Sequence, residues 1–569
     1  MIRKFLLLVS VYFMSVMAFS QTVEDARVHM YYHRWVSAEE TLKSVIAMDR
    51  NSVDAYYWLG ELYMQQKKTD AAKDVFQSVY NLAEKNNYSK KEYPLAYAGM
   101  AHWKISNGMT DDAFNGVEEI LSASKYKNST ALLAAARAHM MSEKGNIDKA
   151  IEYLEKAIKR DKKNTDLYIT LGDVYRKKRD GANAVISYRD ALDYHSADAE
   201  AYYKLGKLYK TQKDPEVSMD RFRKSIEADL NFAPSLYELY SYHFYNNDVD
   251  DAKKYLDLYI KNSDPSPQHA YMIADYLYLS EKNEKAIDKA KEIIARDGAE
   301  TAPRIYKMIA YCSEKLGDSV NALKYANKYF EKEKEENYVM KDFELKARLL
   351  ESVEKNKSAA AMVYEKAFAK AEKPDVKLNY IEKIIRLFSA DENKAKEAQW
   401  REKLYTTKES PSNLDLYYWG IALYSSENYQ KADSVFSIYE EKYPEQVFGY
   451  LWRARANAQI DTAMEMGLAI PYYEKMIDVA EKDPENNLAN LLGAYGYMGA
   501  YKANVAKDFE GSLKCFSRIL ELDSSNSDAE RYIDILKQWI DSAKMEGEDK
   551  KEEKKNVSAG KVEKSSTEN

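Results

Sequence analysis

Glycine and proline are scarce in this chain of 569 residues, at 19 and 11, and cysteine is nearly missing, at two. Long helices joined by short turns have that profile, and sheets with many glycine and proline turns do not. No stretch collects Lys and Arg with interleaved aromatics, which argues against a nucleic-acid surface. There is no phosphate-cradling glycine loop, no Gly-x-Ser-x-Gly elbow and no His-Glu-x-x-His pair, so neither an enzyme nor a cofactor is expected. After the first twenty residues no apolar run is long enough to span a bilayer. What is present is 31% charged residues with a net charge of only -7, and 45% apolar residues, enough to bury a stripe on every helix.

The first twenty residues read as an address. Arg3 and Lys4 precede an apolar run from Phe5 to Phe19, and Ala18-Phe19-Ser20 offers small residues before Gln21. This is the pattern of a secretory signal peptide over 1–20, since fifteen apolar residues fall short of the roughly twenty that cross a membrane. Neither Cys312 nor Cys515 lies near that cleavage point, so no lipid-attachment cysteine is expected. So few cysteines in an exported chain of this length point to the periplasm or outer membrane of a Gram-negative bacterium.

Two adjacent blocks, Thr165 to Asp198 and Ala199 to Phe232, are each thirty-four residues long. They share an aromatic (Tyr168, Tyr202), Leu-Gly (Leu171-Gly172, Leu205-Gly206), a tyrosine (Tyr175, Tyr209) and a later aromatic (Tyr188, Phe222). A small residue recurs every thirty-four positions at Ala150, Ala184, Ser218, Ala252 and Ala286. An earlier slot holds Ala138, Gly172, Gly206, Tyr240 and Ala274. Glycine inside a helix costs about 1 kcal/mol against alanine, so its return in one slot requires the close approach of another backbone. Each block is therefore two helices touching at a narrow seam.

The pattern resembles the tetratricopeptide repeat family, whose signature runs W-x2-L-G-x2-Y, then A-x3-F, then P. Leu59-Gly60-Glu61-Leu62-Tyr63 followed by Ala72 and Phe76 is one copy, and Gly420, Ala432, Phe436 and Pro444 form another. The resemblance implies an all-α, right-handed α-solenoid of helix-turn-helix repeats. It divides the chain into an N-terminal array over 21–336, poorly matched helical repeats over 337–410, and a second array over 411–544. That array should hold a lengthened helix opening at Pro471 and end in a capping helix from Ser527 to Lys544. From 545 to 569 the chain is Lys, Glu, Ser and Gly without apolar periodicity, the composition of a disordered charged tail.

The chain holds 49 Tyr against 16 Phe. Tyr56, Tyr63, Tyr168, Tyr175, Tyr202 and Tyr209 serve the repeat's core, but Tyr57, Tyr203, Tyr237, Tyr271 and Tyr417 fall one residue beyond that slot. One residue along a helix turns about 100°, so this second set cannot share the core stripe. In the family resembled, that slot faces a concave groove. Glu61, Asp173, Lys207 and Asp275, one turn further on, should face it too. The resemblance thus implies a non-catalytic scaffold that binds partner proteins or peptides in a Tyr-lined groove; an envelope glycan-binding protein on the same helices is the alternative. The residues by which some family members grip a C-terminal carboxylate are missing here. His29 and His33 have the spacing of a helical metal pair, but His29 occupies a packing slot and no third ligand is evident, so no metal is expected. Gly493, Gly496 and Gly499 follow no strand, so close helix packing is the expectation for all three.

Overall fold

The computed structural model describes residues 21–563, with side chains through Met545. The expected signal peptide over 1–20 lies outside the described residues. Among them there are 29 α-helices, two short 3-10 turns and no strand. The chain separates into two compact units, dividing between Thr301 and Ala302; the expected divisions at 336 and 410 both fall inside the second.

The first unit holds eight helix pairs: α1 (Val23–Tyr31) with α2 (Trp35–Met48), α3 (Val53–Gln65) with α4 (Thr69–Lys85), α5 (Pro94–Ser106) with α6 (Thr110–Ala123), α7 (Ser129–Met141) with α8 (Ile147–Arg160), α9 (Thr165–Lys177) with α10 (Gly181–Tyr194), α11 (Ala199–Thr211) with α12 (Pro215–Ala228), α13 (Ala233–Tyr245) with α14 (Val249–Asn262), and α15 (Pro267–Leu279) with α16 (Asn283–Asp297). The second unit continues with α17 (Pro303–Lys315) and α18 (Ser319–Lys332), α19 (Met340–Ser352) and α20 (Lys357–Lys370), α21 (Pro374–Ala390) and α22 (Lys394–Thr407), α23 (Asn413–Ser425) and α24 (Tyr429–Lys442), α25 (Val447–Ile460) and α26 (Ile470–Ala480), α27 (Pro484–Asn504) and α28 (Phe509–Leu522), and ends in α29 (Ser527–Glu563). Each unit is an all-α stack of antiparallel pairs, each pair packed on the next.

The punctuation is local. Arg179, Lys213, Asn247 and Glu281 take left-handed backbone at intervals of thirty-four, ending α9, α11, α13 and α15. In each case the next amide donates back across the turn, as Asp180 N–H does to the Tyr175 carbonyl at 2.9 Å. Asp180 and Asp214 then cap the following helix through their side chains.

The seam accounts for the glycines. A Cβ on Gly60 would lie 2.1 Å from the Phe76 ring, on Gly172 2.4 Å from Tyr188, on Gly206 2.6 Å from Phe222 and on Gly420 2.4 Å from Phe436. The aromatic of each second helix therefore rests directly on the glycine of the first, while Ala72, Ala184, Ser218 and Ala432 are fully buried beside it.

Three expectations are corrected. Of the three glycines in α27 only Gly499 lies under a ring, Phe516, whereas Gly493 and Gly496 face open space. The helix opening at Pro471 is short, eleven residues, because Asp483-Pro484 starts a new helix; α27 takes the extra length, at twenty-one residues. The terminal helix runs on to Glu563, past the expected end of the capping helix at Lys544, through a segment rich in the strong helix formers Lys and Glu.

Gly206→Ala should therefore lower stability by about 1–3 kcal/mol through overpacking against Phe222. Gly496→Ala, in a helix interior with room for a Cβ, should raise it by up to about 1 kcal/mol. Melting temperatures of the two variants moving in the same direction would contradict the seam.

Candidate functional site

The nine residues singled out by the groove slot do not share one environment. Tyr57 is only 2% exposed, packed against Trp58 and Phe76, and its hydroxyl has no hydrogen-bond partner among the described residues. Glu61 is buried and bonds His102 Nδ1 at 2.7 Å. Tyr271 is buried and donates to Asp297 at 2.7 Å, with Asp275 half-buried on the same helix. Tyr203 is half-buried, 5.7 Å from the Phe232 ring, whereas Tyr237 is 45% exposed, with Tyr259 5.4 Å away. In the second unit Tyr417 is half-buried against Phe436 and Phe448. The expected continuous tyrosine surface is therefore interrupted at Tyr57 and Tyr271. Beside Tyr57's helix lies α5, which packs on both α3 and α7 and is itself mostly buried.

Four of the nine, Glu61, Asp173, Tyr203 and Lys207, line one cavity of about 630 Å³ in the first unit. Its walls are the inner sides of α1, α3, α7, α9 and α11. Trp58 stands between two guanidinium groups, Arg27 at 5.1 Å and Arg137 at 5.2 Å from its ring, and both arginines reach Asp166, at 3.6 and 3.3 Å. Across the chamber Lys204 donates to Asp173 at 2.6 Å, and Asp173 also accepts from the Tyr188 hydroxyl at 2.7 Å. Lys207 donates to buried Glu238 at 2.8 Å. Met30, Met140, Met141 and Ile169 supply apolar wall between these charges.

Glu200 faces the same space, with Lys204 Nζ 3.8 Å away. Enclosure raises its carboxyl pKa to about 7; Lys204 pulls against this, and Asp166, Asp173 and Asp198 add to it. Enclosure, with Lys204 nearby, pushes His33 down to about 4, which keeps its ring neutral.

The chamber exists because the first unit closes on itself. The Tyr32 hydroxyl donates to Asp229 at 2.7 Å, and Arg34 Nε donates to the Asn262 carbonyl at 2.8 Å. Asp264 accepts from the amides of Val36 at 2.7 Å and Ser37 at 3.4 Å and from the Ser37 hydroxyl at 2.5 Å. Helix α2 has no capping side chain of its own at Arg34, so Asp264 caps it from 228 positions further along the chain. Tyr31 and His33 pack on Phe232, and His33 also meets Tyr203. This contact also separates the two histidines of the metal-like spacing: α1 ends at Tyr31 and His33 turns out of it with φ +56°, stacking on Trp35. The signal missed in the sequence was Asp264-Pro265-Ser266-Pro267, which reads only as a stiffened connection.

The tetratricopeptide repeat family's sequence profiles match residues 30–88, 133–164 and 199–232, the last being the block Ala199 to Phe232 itself. No curated protein matches the chain. Among solved structures, the C-terminal part of a TPR repeat-containing protein from Cytophaga hutchinsonii is 29% identical over 46% of this chain and 98% of its own, with a TM-score of 0.29. A tetratricopeptide repeat protein from Parabacteroides merdae is 16% identical over 45% of this chain and 98% of its own, also with a TM-score of 0.29.

Because the folded-state value of Glu200 lies above its ordinary 4.5, folding takes up a proton between about pH 4.5 and 7, and stability falls as pH rises through that window. Glu200→Gln should therefore match the parent below pH 4.5 and exceed it at pH 8, by about 1–3 kcal/mol. A difference that does not change with pH in thermal melts would contradict the enclosure of this carboxyl.

Proposed function

We propose, on the premise that this chain is a tetratricopeptide repeat protein, that it is a non-catalytic interaction scaffold of the bacterial envelope, binding partner proteins through exposed tyrosines of its first helices. The observation that carries this reading is α13. Tyr237, in the slot the repeat turns away from its core, stays 45% exposed, and Tyr242 and Tyr245 on the same helix are 36% and 83% exposed. Packing within the chain does not account for rings left in water. A tyrosine offers a large contact area, loses little side-chain entropy on binding and keeps a hydrogen-bonding tip. The neighbouring helix is held in register by Lys207 and Lys210, which both donate to Glu238 on α13, at 2.8 and 2.6 Å. Partner contact along α13 therefore rests on a fixed support. The proposed envelope location is supported by the basic start and apolar run before Gln21.

Two measurements test this. The full chain expressed in a Gram-negative host should be recovered from the periplasmic or outer-membrane fraction with Gln21 at its N-terminus; recovery with Met1 intact in the cytosol would overturn the location. In affinity capture from envelope extract, a specific partner should bind the parent and be lost at least tenfold from the Tyr237→Ala/Tyr245→Ala variant. Tyr271→Ala, which removes a buried ring, should lower the melting temperature instead. Equal capture by the parent and the double variant would remove α13 from the binding surface.

A further inference from the structure

The chamber of the first unit contains charges that its own side chains leave incompletely matched. Arg137 has five N–H donors, yet among the described residues it donates one hydrogen bond, from Nη2 to Asp166 at 3.3 Å. Glu200 accepts none among the described residues, and its nearest cation, Lys204 at 3.8 Å, is already held by Asp173 at 2.6 Å. Arg137 and Glu200 lie within range of each other's charge, but no ion pair joins them. Within range of the charges of Arg137 and Glu61, the buried Tyr57 hydroxyl also lacks a partner among the described residues. Partly shielded groups of this kind, with Arg137 and Glu200 both mostly out of solvent, are ordinarily satisfied by ordered water or by a ligand. Met140 and Ile169 add apolar surface to a lining that is otherwise largely polar, and about 630 Å³ is ample for a small molecule.

We propose that this chamber binds a small zwitterion with an apolar body, a free amino acid or a short peptide, whose carboxylate meets Arg137 and whose ammonium meets Glu200. A guanidinium pairs with a carboxylate through two parallel N–H donors, and among the described residues Arg137 commits only Nη2, to Asp166. Glu200 gains a charged donor closer than Lys204. The apolar side chain of the ligand removes methionine and isoleucine surface from water. Trp58, stacked on Arg137 at 5.2 Å, reports any change in that guanidinium's surroundings. This site is distinct from the tyrosine face of α13 and stands or falls independently of it.

The test uses the full mature chain, with calorimetry and tryptophan emission as readouts. L-leucine or L-leucyl-L-leucine should bind one per chain and shift the emission. 3-Methylbutylamine, which lacks the carboxylate, and 4-methylpentanoate, which lacks the ammonium, should each bind at least tenfold more weakly. Arg137→Gln and Glu200→Gln should each lower leucine or dileucine affinity at least tenfold, with Arg137→Lys recovering part of it. Absence of binding by both zwitterions would overturn the proposal, as would equal binding of either single-charge analogue or binding of maltose in their place. The analogue series needs no substitution, so a variant that fails to fold leaves the test intact.

Discussion

The contact on which the fold depends is an aromatic ring laid on a glycine. At Gly60, Gly172, Gly206 and Gly420 the ring of the second helix occupies the volume a Cβ would need. That approach sets the separation of the two helices in those pairs. With the separation fixed, the first helices present the same slot again and again, and the inner wall of the stack becomes periodic. The glycines cost helix stability locally and return it through the burial of Phe76, Tyr188, Phe222 and Phe436, all fully enclosed.

A stack of repeats needs only contacts between neighbours, but the first unit makes a different kind of contact as well. The turn between α1 and α2 docks on the ends of α12 and α14, and Asp264 completes the hydrogen bonding of the α2 N-terminus. Closure narrows a concave surface into a half-open chamber and so changes what its charges do. Arg27 of α1 is thereby brought to Asp166 on α9, which neighbouring α7 already meets through Arg137, while Asp173 takes its partners Lys204 and Tyr188 from neighbouring helices. Glu200, left with a distant partner, responds by holding its proton to a higher pH.

The helix pairs were legible because their signal is short-range and repeated. Small residues every thirty-four positions and the Leu-Gly-x-x-Tyr element identify a pair without any knowledge of the rest of the chain. The same reasoning gathered Glu61, Asp173, Tyr203 and Lys207, which the structure brings to one cavity. It could not separate Tyr57 and Tyr271 from exposed Tyr237, because that depends on how closely neighbouring first helices crowd one another. The closure was hidden for a related reason. It depends on rotation accumulated over several pairs, and its residues, Tyr32, Arg34, Asp229 and Asp264 in turns and Ser37 in the first turn of α2, carry no repeat pattern. Gly493 and Gly496 show the converse limit, since glycines at helical spacing can also face open space.

Closure of the first unit is tested most directly by hydrogen exchange at the Val36 and Ser37 amides, compared between the parent and Asp264→Ala. The closure predicts slow exchange in the parent and a marked acceleration in the variant, confined to residues 22–48, with the remaining pairs unchanged. Equally fast exchange of these amides in both proteins would show that the hairpin is not docked, and that the chamber is an open groove.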